Sequence, residues 1–154
     1  MSIRDKAVVE VIDNCFKRVL EDSSFLFADD SSKKEVIEKE EVDYFVSYIS
    51  FNGEVNGDII VLFSNITARE LSMNMMGLEA EEIKDHIIPD SIAEFTNMFC
   101  GNIVFQIFGT DKNYDISIPV MNEGHEELFE KLIDDENTRY FMVDDEPVLL
   151  NVKY

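Results

Sequence analysis

Apolar residues recur at three- and four-residue intervals from about Arg4 to Leu20, at Val8, Val11, Ile12, Cys15 and Val19, with Glu10, Asp13, Lys17 and Arg18 between them. This spacing predicts an amphipathic helix. A short strand is expected at Phe25 to Phe27, and the charge-dense stretch Asp29 to Glu41 reads as loop. Val42 to Phe51 and Val55 to Phe63 are rich in aromatic and β-branched residues, and the Asn52-Gly53 pair between them predicts an antiparallel hairpin. Thr67 followed by Glu70 forms a candidate capping box, opening a short helix that closes at Gly77. Ala80 to Ile87 is expected to add a turn or two. Pro89 then stands where a long helix would begin, running to about Phe105. Beyond it, Tyr114 to Met121, Arg139 to Val143 and Pro147 to Lys153 read as strands, with a helical stretch at Glu123 to Leu132. Helix, strands, helices, strands is the order of an α+β fold, with helices laid on a mostly antiparallel sheet.

With 154 residues and 45% apolar content the chain has material for one core, so a single domain is expected. Charged residues make up 30% but are interleaved with apolar ones, which excludes the signature of disorder. The 33 acidic residues against 13 basic ones give a net charge of -20, which disfavours nucleic acid and anionic lipid as partners. Phe95 to Thr110 is free of charge, yet it is shorter than the ~20 residues of a membrane span and includes Asn97, Asn102 and Gln106. The amino-terminal residues lack the uninterrupted apolar segment of a signal peptide. Cys15 and Cys100 fall in apolar helical patterns and are too few for a disulfide framework, which points to a reducing cytoplasm.

The helix from Pro89 carries the candidate chemistry. Advancing roughly 100° per residue from Asp90 at zero places Glu94 at about 40°, Asn97 near 340° and Gly101 near 20°. Ile92, Phe95, Phe99 and Ile103 fall between about 140° and 220°, so they are expected to anchor the helix while Glu94 and Asn97 face outward together. A carboxylate can pair with a cation, a carboxamide can hold a water by donating and accepting, and a glycine lets a partner approach closely. Asp90 is either a third member of this face or the N-cap of the helix. His86 and His125 lie far apart in sequence and have no cysteine or carboxylate grouping of metal-ligand spacing around them, so no metal site is expected. Met73, Met75, Met76 and Met98 are either core filling or an adaptable docking patch.

In this setting Asp90-Ser91-Ile92-Ala93-Glu94-Phe95-Thr96-Asn97 resembles the D/S-x3-E-x2-N signature of the CheX, CheC and FliY chemotaxis phosphatases, and CheX-like chains most of all. The hairpin from Phe51 to Phe63, the short helix Thr67 to Gly77, Gly101-Asn102 after the signature, and Pro119 near a proline the family places before a strand extend the likeness. The resemblance implies a phosphatase that hydrolyses the phospho-aspartate of a CheY-like receiver. Asn97 would orient the attacking water, and Glu94 would pair with the receiver's lysine. Asp90, Ala93, Met98 and Gly101 would touch the partner. Mg2+ is expected on the receiver, with no cofactor held by this chain. CheC-like members carry a second motif in the first helix, but Glu10-Val11-Ile12-Asp13 has Asp where Asn is needed, so one active face is expected.

Two other readings compete: a module that binds a receiver without hydrolysis, and a dimer built by edge pairing of the aromatic strand Val42 to Phe51. Family dimers make a homodimer the expected assembly, and it is compatible with catalysis. A small-molecule enzyme is disfavoured, because neither a Gly-rich phosphate loop nor a nucleophile-base set is found.

Overall fold

The two aromatic, β-branched runs form the centre of the sheet. In the computed structural model, which describes residues 5–39, 43–109, 113–124 and 126–154, they are β2 (Tyr44–Asn52) and β3 (Gly57–Ser64), paired antiparallel from Tyr44 opposite Ser64 to Phe51 opposite Gly57. The remaining elements in chain order are α1 (Lys6–Ser24), β1 (Asp29–Asp30), α2 (Lys33–Glu38), α3 (Asn65–Met76), a 3-10 turn (Ala80–Glu82), α4 (Ile87–Phe108), β4 (Asp115–Ile116), β5 (Val120–Gly124), α5 (Glu126–Ile133), β6 (Thr138–Val143) and β7 (Glu146–Lys153). The strand order is β1-β6-β7-β3-β2-β4, with β5 also on β2, and every described pairing is antiparallel. The expected starting points Arg4 and Val42, and His125, lie outside the described residues.

Alternation along the strands divides the apolar residues between two layers. Ile49, Phe51, Ile59, Val61, Phe63, Phe141, Val148, Leu150 and Val152 face Ile12, Phe16, Leu20, Ile92, Phe95, Phe99 and Ile103 of α1 and α4. Tyr44, Val46, Leu62 and Leu149 on the opposite face meet Val36 of α2 and Leu132 and Ile133 of α5. This is the α+β arrangement of an antiparallel sheet with helices.

Several expected boundaries move, each for a local reason. The stretch read as loop holds α2, whose N-cap is Ser32 accepting from the Glu35 amide at 3.2 Å. Phe25 is not strand: it caps α1 in the left-handed region at φ 57°, and the nearby strand is the two-residue β1. Ser64, not Thr67, caps α3 by accepting from the Thr67 amide at 3.2 Å, so the capping pair sits three residues earlier than Thr67 and Glu70 suggested. Gly77 closes α3 at φ 65°, as the pattern predicts. The expected strand Tyr114 to Met121 is split into β4 and β5. The aromatic strand is no sheet edge either: β2 is flanked by β3 on one side and by β4 and β5 on the other, which removes it as a surface for edge pairing. The charge-free run of α4 is explained by its position between α1, α3 and β2. Among the described residues no helix is long and apolar enough to cross a membrane.

Candidate functional site

α4 begins two residues before Pro89. Its N-cap is His86, and Pro89 is the third helical residue, still in the first turn where an amide hydrogen has no intrahelical acceptor. Asp90 is therefore not the N-cap: its amide already donates to the His86 carbonyl at 3.4 Å, and its carboxylate stands exposed in the first turn, where the helix dipole favours an anion.

The rotation of α4 is set by an aromatic nest. Phe16 of α1 meets Phe95 and Phe99 edge-on at centroid distances of 5.7 and 5.4 Å, and Phe63 of β3 meets Phe95 at 5.6 Å. Ile92, Phe95, Phe99 and Ile103 are fully buried. Burying each such side chain contributes roughly 1.5–3 kcal/mol, so turning the helix about its axis would forfeit several of these contributions together. With that stripe fixed, Glu94 and Asn97 stand exposed on the opposite side. Among the described residues neither side chain has a hydrogen-bond or ion-pair partner. The neighbouring amide behaves differently, since Asn102 donates to its own helix at the Met98 carbonyl, 2.8 Å away. Asn97 is left available to an incoming group.

Asp90, Ala93, Glu94 and Asn97 form one wall of an open depression of about 370 Å³ whose other wall is Ile116, Ser117, Ile118 and Pro119. The helix wall brings together four of the six residues singled out in the sequence, Asp90, Ala93, Glu94 and Asn97. The strand wall was not expected to be part of the site, although Pro119 stood out as a marker ahead of a strand, and it does directly precede β5. The described lining residues include two carboxylates and no cationic side chain, a chemistry suited to a cation beside apolar surface. The Ser117 hydroxyl accepts from the Ser50 amide at 2.9 Å, which gives it a structural task. The remaining expected contacts lie beside the depression rather than in it. Gly101 continues the exposed face one turn beyond Asn97, and a Cβ there would meet nothing within 4 Å. Met98 turns toward α1, where it lines a shallow groove with Arg18, Val19, Asp22, Ser23 and Asn102.

The first helix carries no second copy of this face. Asp13 is half-buried and accepts from Nε and Nη2 of Arg139, at 2.9 and 2.6 Å, tying α1 to β6. Cys15 and Cys100 are buried, and burial pushes both thiols up to about 11, so they are protonated small apolar groups at neutral pH. Among the described residues no three His, Cys, Asp or Glu side chains gather closely enough to hold a metal.

The chain matches the family model of the chemotaxis phosphatase CheX over residues 45–139, more than half of its length. Its fold is similar to that of chemotaxis protein CheX from Vibrio vulnificus, with a TM-score of 0.70 at 18% identity over 95% of each chain. It is also similar to CheX from Desulfovibrio desulfuricans, with a TM-score of 0.69 at 15% identity over 95% of this chain and 97% of that one. A third similar structure is a CheX-CheY-BeF3-Mg2+ complex from Borrelia burgdorferi, with a TM-score of 0.67 at 17% identity over 95% of this chain and 96% of that one. No curated protein matches the chain.

Proposed function

The chain belongs to the chemotaxis phosphatase CheX family, and from that premise we propose that it hydrolyses the phospho-aspartate of a CheY-like receiver at the face carrying Glu94 and Asn97. The observation that carries the reading is the side-by-side exposure of these two unpartnered groups on α4, opposite the fully buried Ile92, Phe95, Phe99 and Ile103. The Borrelia burgdorferi complex supports a CheY-type partner.

An acyl phosphate is already activated, so its hydrolysis asks chiefly for a water held in line with phosphorus. In this reading Asn97 enters the receiver's pocket, its carboxamide oxygen accepting from the water and its NH2 donating to neighbouring oxygen. The water attacks phosphorus, the bond to the aspartyl oxygen breaks, and inorganic phosphate and a free carboxylate leave. Glu94 pairs with the receiver's lysine and fixes the register of docking. Mg2+ is supplied by the receiver, where it neutralises charge on the phosphoryl group. No nucleophile of the phosphatase takes part.

The test follows phosphoryl loss from phosphorylated CheY-type receivers. Asn97→Ala is expected to lower the rate at saturating receiver by roughly a hundredfold while leaving docking in place. Glu94→Ala is expected to act mainly by raising KM. Acceleration by the unmodified chain of no receiver in a cognate panel would sink the enzymatic reading. Tight docking without acceleration would instead make the chain a receiver-binding module.

A further inference from the structure

The strand wall of the depression contains an irregularity in register. Ile116 of β4 stands opposite Phe51, and Val120 of β5 stands opposite Tyr48. Three residues, Ser117 to Pro119, therefore span the interval that two residues, Ile49 and Ser50, span on β2. The extra residue is a β-bulge in a strand at the edge of the sheet, a device that re-aims a side chain and is common beside active sites. Pro119 suits the break because it has no amide hydrogen to give to a ladder.

The bulge is held firmly on one side. The Ser117 amide donates to the Ser50 carbonyl at 2.9 Å, and the Ser50 amide donates back to the Ser117 hydroxyl at 2.9 Å. The side chain thus replaces the carbonyl that a regular strand would offer, and the next residue is thrown clear. Ile118 is 87% exposed, the most exposed large apolar side chain among the described residues, and Ile116 and Val120 on either side are exposed as well. An isolated surface isoleucine needs no explanation. One held out by a pinned bulge, followed by a proline and lining the same depression as Glu94 and Asn97, does.

We propose that Ile118 is the apolar anchor by which this chain docks its receiver, with Ile116 and Pro119 completing a preformed lip, and that the lip decides which receivers are accepted. The inference rests on the reading of α4 as a receiver-directed face. The occupant follows from the chemistry of the depression: the carboxylates of Asp90 and Glu94 take a cation, and the opposite wall takes apolar surface. A receiver that presents its lysine to Glu94 must therefore lay an apolar patch from the rim of its phosphorylation pocket against Ile118. Because Ser117 and Pro119 fix the lip beforehand, little conformational freedom is lost on docking. Desolvation by Ile118 also shields the Glu94 pair from water, which strengthens it.

The experiment compares Ile118→Leu, Ile118→Ala and Ile118→Asp with the unmodified chain, measuring KM and kcat on phosphorylated CheY-type receivers and affinity for the same receivers loaded with beryllofluoride and Mg2+. Ile118→Ala is expected to raise KM and the dissociation constant about tenfold, Ile118→Asp further, and Ile118→Leu little. The rate at saturation should stay within about twofold, the reverse of the split expected for Asn97→Ala. Unchanged thermal unfolding is expected, since the side chain makes no core contact. Unchanged KM and affinity in Ile118→Asp would overturn the inference, as would a change in sedimentation with receiver affinity intact, which would assign the lip to a second copy of the chain. If the unmodified chain binds a beryllofluoride-loaded receiver without accelerating phosphoryl loss, the phosphatase reading fails and the affinity comparison still decides the lip. Binding to no receiver overturns both.

Discussion

Gly101 follows Glu94 and Asn97 along the exposed side of α4, and a Cβ added there would meet no described residue within 4 Å. Its backbone is ordinary helix, so glycine carries its conformational cost without a local requirement. Gly101→Ala is accordingly expected to raise stability by about 0.5–1 kcal/mol, read from thermal or denaturant unfolding. Gly101→Leu should fold equally well yet raise KM for a receiver if the bare turn is there to admit the partner's surface. Normal KM in the leucine variant would remove Gly101 from the docking face. At this scale the sequence was readable wherever the helical period alone decided the answer: Ile92, Phe95, Phe99 and Ile103 are buried and Glu94 and Asn97 are exposed, as the wheel requires. It was misleading where the answer lay in a hydrogen bond. Asp90 and Thr67 are chemically competent caps, but α4 starts at Ile87 and α3 at Asn65, so His86 and Ser64 occupy the cap positions.

The seam between α1 and α4 joins the scaffold to the site, and its two thiols give it a pH signature. Cys15 of α1 accepts a hydrogen bond from Gln106 of α4 at 3.8 Å, and Cys100 lies on α4 itself. Burial raises both from an ordinary value of 9.0 to about 11, with Arg18 opposing the shift at Cys15. In the unfolded chain the thiols ionise first, so the stability tied to their neutral form is fully present below pH 9 and is lost as pH rises toward 11. The melting temperature should fall across that window, and the Cys15→Ala, Cys100→Ala double variant should show a shallower fall. Lys33, Tyr48, Tyr140 and Tyr154, which the fold also raises, remain in the variant and account for the residual slope. Equal slopes in the two proteins would mean that the thiols do not contribute. Long periodic elements such as α1, β2, β3 and α4 were legible because each repeats its pattern several times. α2 was not, since its six residues bury only Val36 and complete no period. The bulge between β4 and β5 was hidden for a different reason: whether Ile118 faces in or out depends on its pairing with β2, and register is not written within a single strand.

The whole molecule carries a net charge of -20. The class of fold followed from the order of elements, but the strand order β1-β6-β7-β3-β2-β4 did not, because it depends on which edges find each other in space. That order turns the aromatic strand from an expected edge into an interior strand of the sheet and puts the apolar lip at the edge instead. On the proposed reading the receiver's acyl-phosphate pocket is itself anionic, so two like-charged surfaces would have to meet before Glu94 reached a lysine. Repulsion acts over the Debye length, about 30 Å at 0.01 M salt and about 8 Å at 0.15 M, whereas the Glu94 pair forms only at contact and, once desolvated, is screened far less. Raising salt from about 0.01 M to 0.15 M should therefore accelerate association with the receiver several-fold in stopped-flow measurements, while the dissociation rate changes little. Ile118→Asp adds charge at the point of approach, so its association should be slower at low salt and recover more of the difference as salt rises. A steep loss of association with salt would instead mean that opposite charges steer the encounter, and docking through the acidic face of α4 would then have to be abandoned.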